Sequence, residues 1–129
     1  MINQYLSIPY VRGGRDTSGS DCYGLVRMAR TELFGKRQLP LYADIKPGQF
    51  SEITQACEST VLTEGLMPCE AKEGAIATAW RASVCIHVGL VVLADGRLWV
   101  LETDEPTGPC LTPIYDFERR YTKVIYYDD

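Results

Sequence analysis

The stretch Gly19–Gly35, GSDCYGLVRMARTELFG, passes from loop to helix at the one cysteine it contains. Leu25, Val26, Ala29 and Leu33 recur at helical spacing, so a helix is predicted over 21–34. Ser20 or Asp21 can cap its start, and Gly35 suits a left-handed stop, with Lys36 and Arg37 beyond. Cys22 then falls in the first turn, three and four residues before Leu25 and Val26, on the face that turns inward. Free N–H groups and the helix dipole favour an anion there, a reactive thiolate included. The plainer reading is a buried cysteine that fills a gap.

On either side of this helix the chain divides by character. The preceding segment ends in RGGRDTSGSD (residues 12–21), a loop rich in Gly, Ser and Asp. Following it, LPLYADIKPGQ (residues 39–49) reads as an irregular connection, and a second helix fits Ser51–Glu64, closed by Gly65. After Gly74 come AIATAW, CIHVGLVVLA, GRLWVLET and YTKVIYY, each rich in Val, Ile, Leu and aromatics and readable as a strand. Asp95-Gly96 is the strongest short hairpin signal in the chain. Helices first and strands after predict an α+β domain with a mostly antiparallel sheet. With 129 residues and no internal repeat, low-complexity run or linker, one domain over 1–129 is expected.

Composition excludes several classes. A net charge of −4 argues against a nucleic-acid binder. No segment is long and apolar enough to span a membrane, so no membrane insertion is expected. MINQYLSIPY lacks the basic region and apolar run of a secretory signal, so the chain is expected to be made in the cytoplasm without a signal peptide. Five cysteines, odd in number and without a C-x-x-C pair, argue against a disulfide framework. With a single histidine they also argue against zinc, so neither metal nor organic cofactor is expected.

That histidine, His87, lies in the strand before Asp95-Gly96. A two-residue turn pairs Ala94 with Arg97 and Leu93 with Leu98, and carried on it sets Gly89 opposite Glu102. Alternation puts His87, Gly89 and Val91 on one sheet face, with Glu102 diagonal to His87 and no side chain at Gly89 between them. A carboxylate there could fix the imidazole tautomer and favour its protonated form, completing a nucleophile, base and orienting group. The plainer reading is a half-buried strand histidine beside a solvated glutamate. A one-residue register error would bring Thr103 or Asp104 nearer instead. Upstream, Gly13 and Gly14 allow close backbone approach, but no Gly-Lys-Ser/Thr follows, so this is not a phosphate loop. Tyr10 can point its hydroxyl into a cleft or simply pack.

PYVRGG (Pro9–Gly14), DCYGLV (Asp21–Val26) and HVGLVVLADGRL (His87–Leu98), in this order, resemble the NlpC/P60 family of papain-like cysteine peptidases. DCYGLVRMARTELFGKRQLPLY (Asp21–Tyr42) is most similar to the compact version found in phage and prophage tails. The resemblance implies a papain-like α+β fold with N-terminal helices packed on the sheet. It implies Cys22 as nucleophile, His87 as general base and a third polar group on the next strand, which hairpin pairing makes Glu102. It further implies that Tyr10 lines the cleft and that Asp21 and Tyr23 lie where substrate is recognised. Three positions depart from the family pattern. DCYG stands for the usual DCSG, Glu is inferred where His, Asn or Gln is common, and Gly74 is followed by Ala75 rather than Asp, one polar group fewer for the cleft.

The implied activity is hydrolysis of an amide bond in peptidoglycan stem peptides, between D-glutamate and a diamino acid. The implied setting is a phage tail, with other tail proteins as partners. Two alternatives stay open: a non-catalytic tail assembly subunit that keeps the fold, and an amidase or acyltransferase on another substrate.

Overall fold

The computed structural model describes residues 1–129. A short 3-10 helix, Ile2–Ser7, leads to a two-stranded ribbon of β1 (Arg15–Asp16) and β2 (Gly19–Ser20). Helices α1 (Cys22–Phe34) and α2 (Phe50–Thr63) follow. Then come β3 (Met67–Cys69), β4 (Ile76–Arg81), β5 (Val84–Ala94), β6 (Arg97–Glu102), β7 (Cys110–Pro113), α3 (Ile114–Arg119) and β8 (Lys123–Asp128). The six longer-range strands form one antiparallel sheet in the order β3-β8-β4-β5-β6-β7. The architecture is α+β with a mostly antiparallel sheet, as the order of helical and strand patterns implies.

Both expected helices form within a residue of their expected limits. Asp21 caps α1, accepting the Gly24 N–H at 2.9 Å, and Gly35 ends it at φ 66°. The ribbon, β3, β7 and α3 were not expected. Each of these strands has four residues or fewer, too short to show alternation.

The sheet is covered on both faces. On one, Leu25, Val26 and Ala29 of α1 pack with Tyr5 against Ile76, Leu90, Val92 and Leu101. On the other, Phe117 of α3 packs with Ala75, Ala77, Ala79, Val91 and Val100. Burial on both sides explains why β5 reads as a near-continuous apolar run. Arg30, on the inward side of α1, is 1% exposed. It is neutralised by Asp128 at 2.7 Å and donates through Nε to the Gly74 carbonyl at 3.0 Å. Ala75 is fully buried on the α3 face and does not border the cleft described below, so the missing aspartate at that position leaves the cleft lining unchanged.

Candidate active site

The β5–β6 hairpin has the register that a two-residue Asp95-Gly96 turn dictates, from Ala94–Arg97 to Leu90–Leu101. Pairing stops there, one step short of the expected Gly89–Glu102 pair. The space over Gly89 is not open. A Cβ at Gly89 would lie 2.3 Å from Val100 Cγ1, so the glycine admits the valine methyl. On the other edge of β5 the ladder with β4 slips between Ala79–His87 and Trp80–Cys85, which makes Ile86 an extra residue. The bulge at Ile86 and the parting of β6 leave His87 as the last regular pair on that side of the bulge, near the corner where α1 packs against both β5 and β6.

Cys22 opens α1 at this corner and is partly exposed. Gly24 lets the helix start close on the preceding loop, since a Cβ there would stand 2.3 Å from the Gly14 carbonyl oxygen. His87 is 5% exposed and its Nε2 lies 2.8 Å from Glu102 Oε1, which leaves Nδ1 for the sulfur. Burial alone would lower its pKa. Hydrogen bonding to Cys22 and to Glu102 outweighs burial and raises it to about 10. The ring is stacked on Tyr121 at 6.2 Å and tilted against Phe117 at 6.0 Å.

Glu102 is buried. Burial pushes its pKa up, but bonds from His87, Thr112 and Arg120 hold it below the ordinary carboxylate range. Thr112 Oγ1 donates to Oε2, and Arg120 donates to both oxygens at 2.7 and 2.9 Å. Of the alternatives, Thr103 is buried with its hydroxyl unpartnered and Asp104 is exposed at the cleft rim. Sequence reasoning missed Thr112, Phe117, Arg120 and Tyr121. The spacing of Ile114, Phe117 and Tyr121 after Pro113 is the helical signal that could have found α3.

Tyr10 is half-buried, bridges to Ser20 and borders the cleft. Burial and the nearby Cys22 push its hydroxyl pKa up to about 12, so it stays a neutral donor. Asp21 is 2% exposed and both its oxygens have protein partners. Oδ1 takes the Gly24 N–H and Arg15 at 2.7 Å, and Oδ2 takes the Gly13 N–H at 3.1 Å. Tyr23 borders the cleft with its hydroxyl donated to the Pro40 carbonyl at 2.5 Å and Arg15 over its ring. The cleft, with about 120 Å³ of room, runs from Cys22 and His87 to the underside of α2.

No protein-family model matches the chain, and no curated protein matches it by sequence. By structure it is similar to the crystal structure of the NlpC/p60 domain of the peptidoglycan hydrolase SagA. The TM-score is 0.60 at 19% identity, over 99% of this chain and 92% of that one. The α+β fold with its antiparallel sheet and flanking helices is therefore the fold of an NlpC/p60 domain.

Proposed function

We propose that this chain is a cysteine hydrolase that cleaves an amide bond in peptidoglycan stem peptides. The observation that carries the reading is the placement of the only histidine: buried, bonded to a carboxylate and turned toward the one cysteine at a helix start. The similar fold of a peptidoglycan hydrolase domain supports the substrate class.

In this reading the Cys22 Sγ attacks the amide carbonyl carbon. An imidazolium beside the sulfur and the free N–H groups of the first turn both stabilise negative charge on it. The oxyanion is met by the Cys22 backbone N–H and the Tyr10 hydroxyl. His87 passes its proton to the leaving amine nitrogen as the C–N bond breaks, leaving a thioester on Cys22. Water, deprotonated by His87, then releases the acid and restores the thiol. Glu102 orients the ring through Nε2. Asp21 acts by fixing Arg15 and the loop, Tyr23 walls the mouth, and Lys46 and Asp104 offer opposite charges to the carboxylate and amine of a D-glutamyl–diamino acid bond. The phage-tail setting, with tail proteins as partners and delivery in the virion, rests on the likeness of Asp21–Tyr42 to the tail type.

Incubation with purified peptidoglycan tests the reading, with new amino groups measured and released muropeptides identified. The intact chain releases fragments and Cys22→Ala does not. If Cys22 reacts with iodoacetamide at neutral pH no faster than Cys57 or Cys110, corrected for exposure, the activated thiol is refuted.

A further inference from the structure

The inner limb of the cleft is built unlike its mouth. On α2, Ile53, Ala56, Cys57, Thr60 and Val61 recur at helical spacing, and all five face the cleft. Thr60 is buried while Ile53, Ala56, Cys57 and Val61 stay partly exposed, so this 14-residue helix packs on β5 and leaves an apolar face bordering the cleft. Opposite it stand Ile76, Thr78, Cys85 and Val88 of β4 and β5. The buried hydroxyls here are already partnered. Thr60 Oγ1 bonds the Ala56 carbonyl at 2.6 Å and the Tyr42 hydroxyl at 2.8 Å. Thr78 Oγ1 donates to the Ile125 carbonyl at 2.7 Å and accepts from Trp80 Nε1 at 2.9 Å. Cys85 Sγ faces the His87 carbonyl at 3.8 Å. A polar ligand group entering this limb would lose its water and find few free partners, only the Tyr127 hydroxyl and the Cys57 thiol, whereas a hydrocarbon chain would lose nothing. The limb opens on Cys22 and His87, so a chain lying in it brings its carbonyl end to the sulfur.

We propose that the inner limb beneath α2 binds an unbranched aliphatic acyl chain, and that acyl esters carrying such a chain are a second substrate class for Cys22. Binding needs only the cavity, whereas the covalent step rests on the hydrolase reading above. In that step the Cys22 sulfur–acyl carbon bond forms and the ester C–O bond breaks. The thiol proton travels through His87 to the departing alkoxide. Water then cleaves the thioester, yielding the carboxylic acid and the free thiol.

Two measurements on the intact chain test it. Sodium octanoate raises the melting temperature and sodium propionate at equal concentration does not. Ala56→Trp, which fills the limb from α2 and touches neither Cys22 nor His87, removes the octanoate effect. Should Ala56→Trp lose its helical circular dichroism, Ile53→Phe makes the same test one turn earlier. In the second measurement p-nitrophenyl acetate, butyrate and octanoate are compared. Full burial is worth about fourfold per methylene, so kcat/KM rises at least about tenfold from butyrate to octanoate. The rise disappears in Ala56→Trp, while the acetate rate stays. Equal stabilisation by propionate and octanoate, or a response untouched by both filling variants, overturns the proposal even if peptidoglycan is cleaved. Selective octanoate binding with no ester or peptidoglycan turnover keeps the acyl site, removes the second substrate class and refutes the hydrolase reading.

Discussion

At the scale of the residue, the ionic state of His87 decides what the site can do. Its folded pKa of about 10 lies above the ordinary 6.5, so the native state holds this proton more tightly than the unfolded chain. The stabilisation is complete below pH 6.5 and drains away as pH rises through about 10. As His87 is the only histidine, its ring nitrogens can be followed by NMR without assignment. They should titrate near pH 10 in the intact chain and markedly lower in Cys22→Ala and in Glu102→Gln. A ring titrating at its ordinary value in all three chains would show that the sulfur and carboxylate do not hold it. Glu102→Gln should also cut peptidoglycan turnover by about a hundredfold or more, since the ring loses its orienting charge. Arg120 shares that carboxylate at 2.7 Å. Arg120→Met leaves the negative charge to the imidazole alone and should raise the His87 titration further, which the same spectra record.

At the scale of the element, α1 delivers the sulfur because its start is pinned and its approach unobstructed. Gly24→Ala tests this against helix propensity. Alanine favours the helix by about 1 kcal/mol. Its Cβ would nonetheless meet backbone, the Gly14 carbonyl oxygen, at 2.3 Å, where no flexible side chain can yield. The expected net result is a loss of about 1–3 kcal/mol, measured by urea denaturation. A more stable variant would show that the loop is free to move. The β5–β6 hairpin was legible because Asp-Gly fixes its register and register fixes which side chains share a face. Where pairing ends was not legible, because Val100 filling the space over Gly89 is a contact between strands rather than a pattern within one.

At the scale of the whole molecule, one ion cluster ties the helical layer to the last strand. Asp128 receives buried Arg30 at 2.7 Å and Lys36 at 3.1 Å. Burial alone would raise its carboxyl pKa, but bonds from Lys36, the Asp129 backbone and Arg30 bring it down to about 2. Its contribution to stability is therefore present above the ordinary value of 3.8 and lost as pH falls through about 2. Asp128→Asn leaves buried Arg30 only the partly exposed Asp129 carboxylate at 3.1 Å, so the cost should stay below the about 3–5 kcal/mol of a buried pair broken outright. The acid limb of its urea-midpoint profile should also flatten between pH 4 and 2 relative to the parent chain. An unchanged midpoint would mean that Asp129 alone holds the Arg30 charge.

The sequence by itself determined what is written at short range: the two longer helices with their caps, the main strands, the hairpin register and hence the facing of His87 and Glu102. These follow from local propensity and from a period of 2 or 3.6, which a linear reading can count. The tertiary structure alone decided which distant groups converge. Thr112, Arg120 and the rings of Phe117 and Tyr121 reach the His87–Glu102 pair from β7 and the α3 segment, and a helical spacing along 114–121 does not say which distant groups its side chains meet. Arg30 is inside because its partners arrive from the chain's other end, and α2 packs on β5 yet leaves a cleft beside it because nothing in its own sequence fixes how closely it settles. Such convergence is set by how the two layers settle on the sheet, and no periodicity along the chain encodes it.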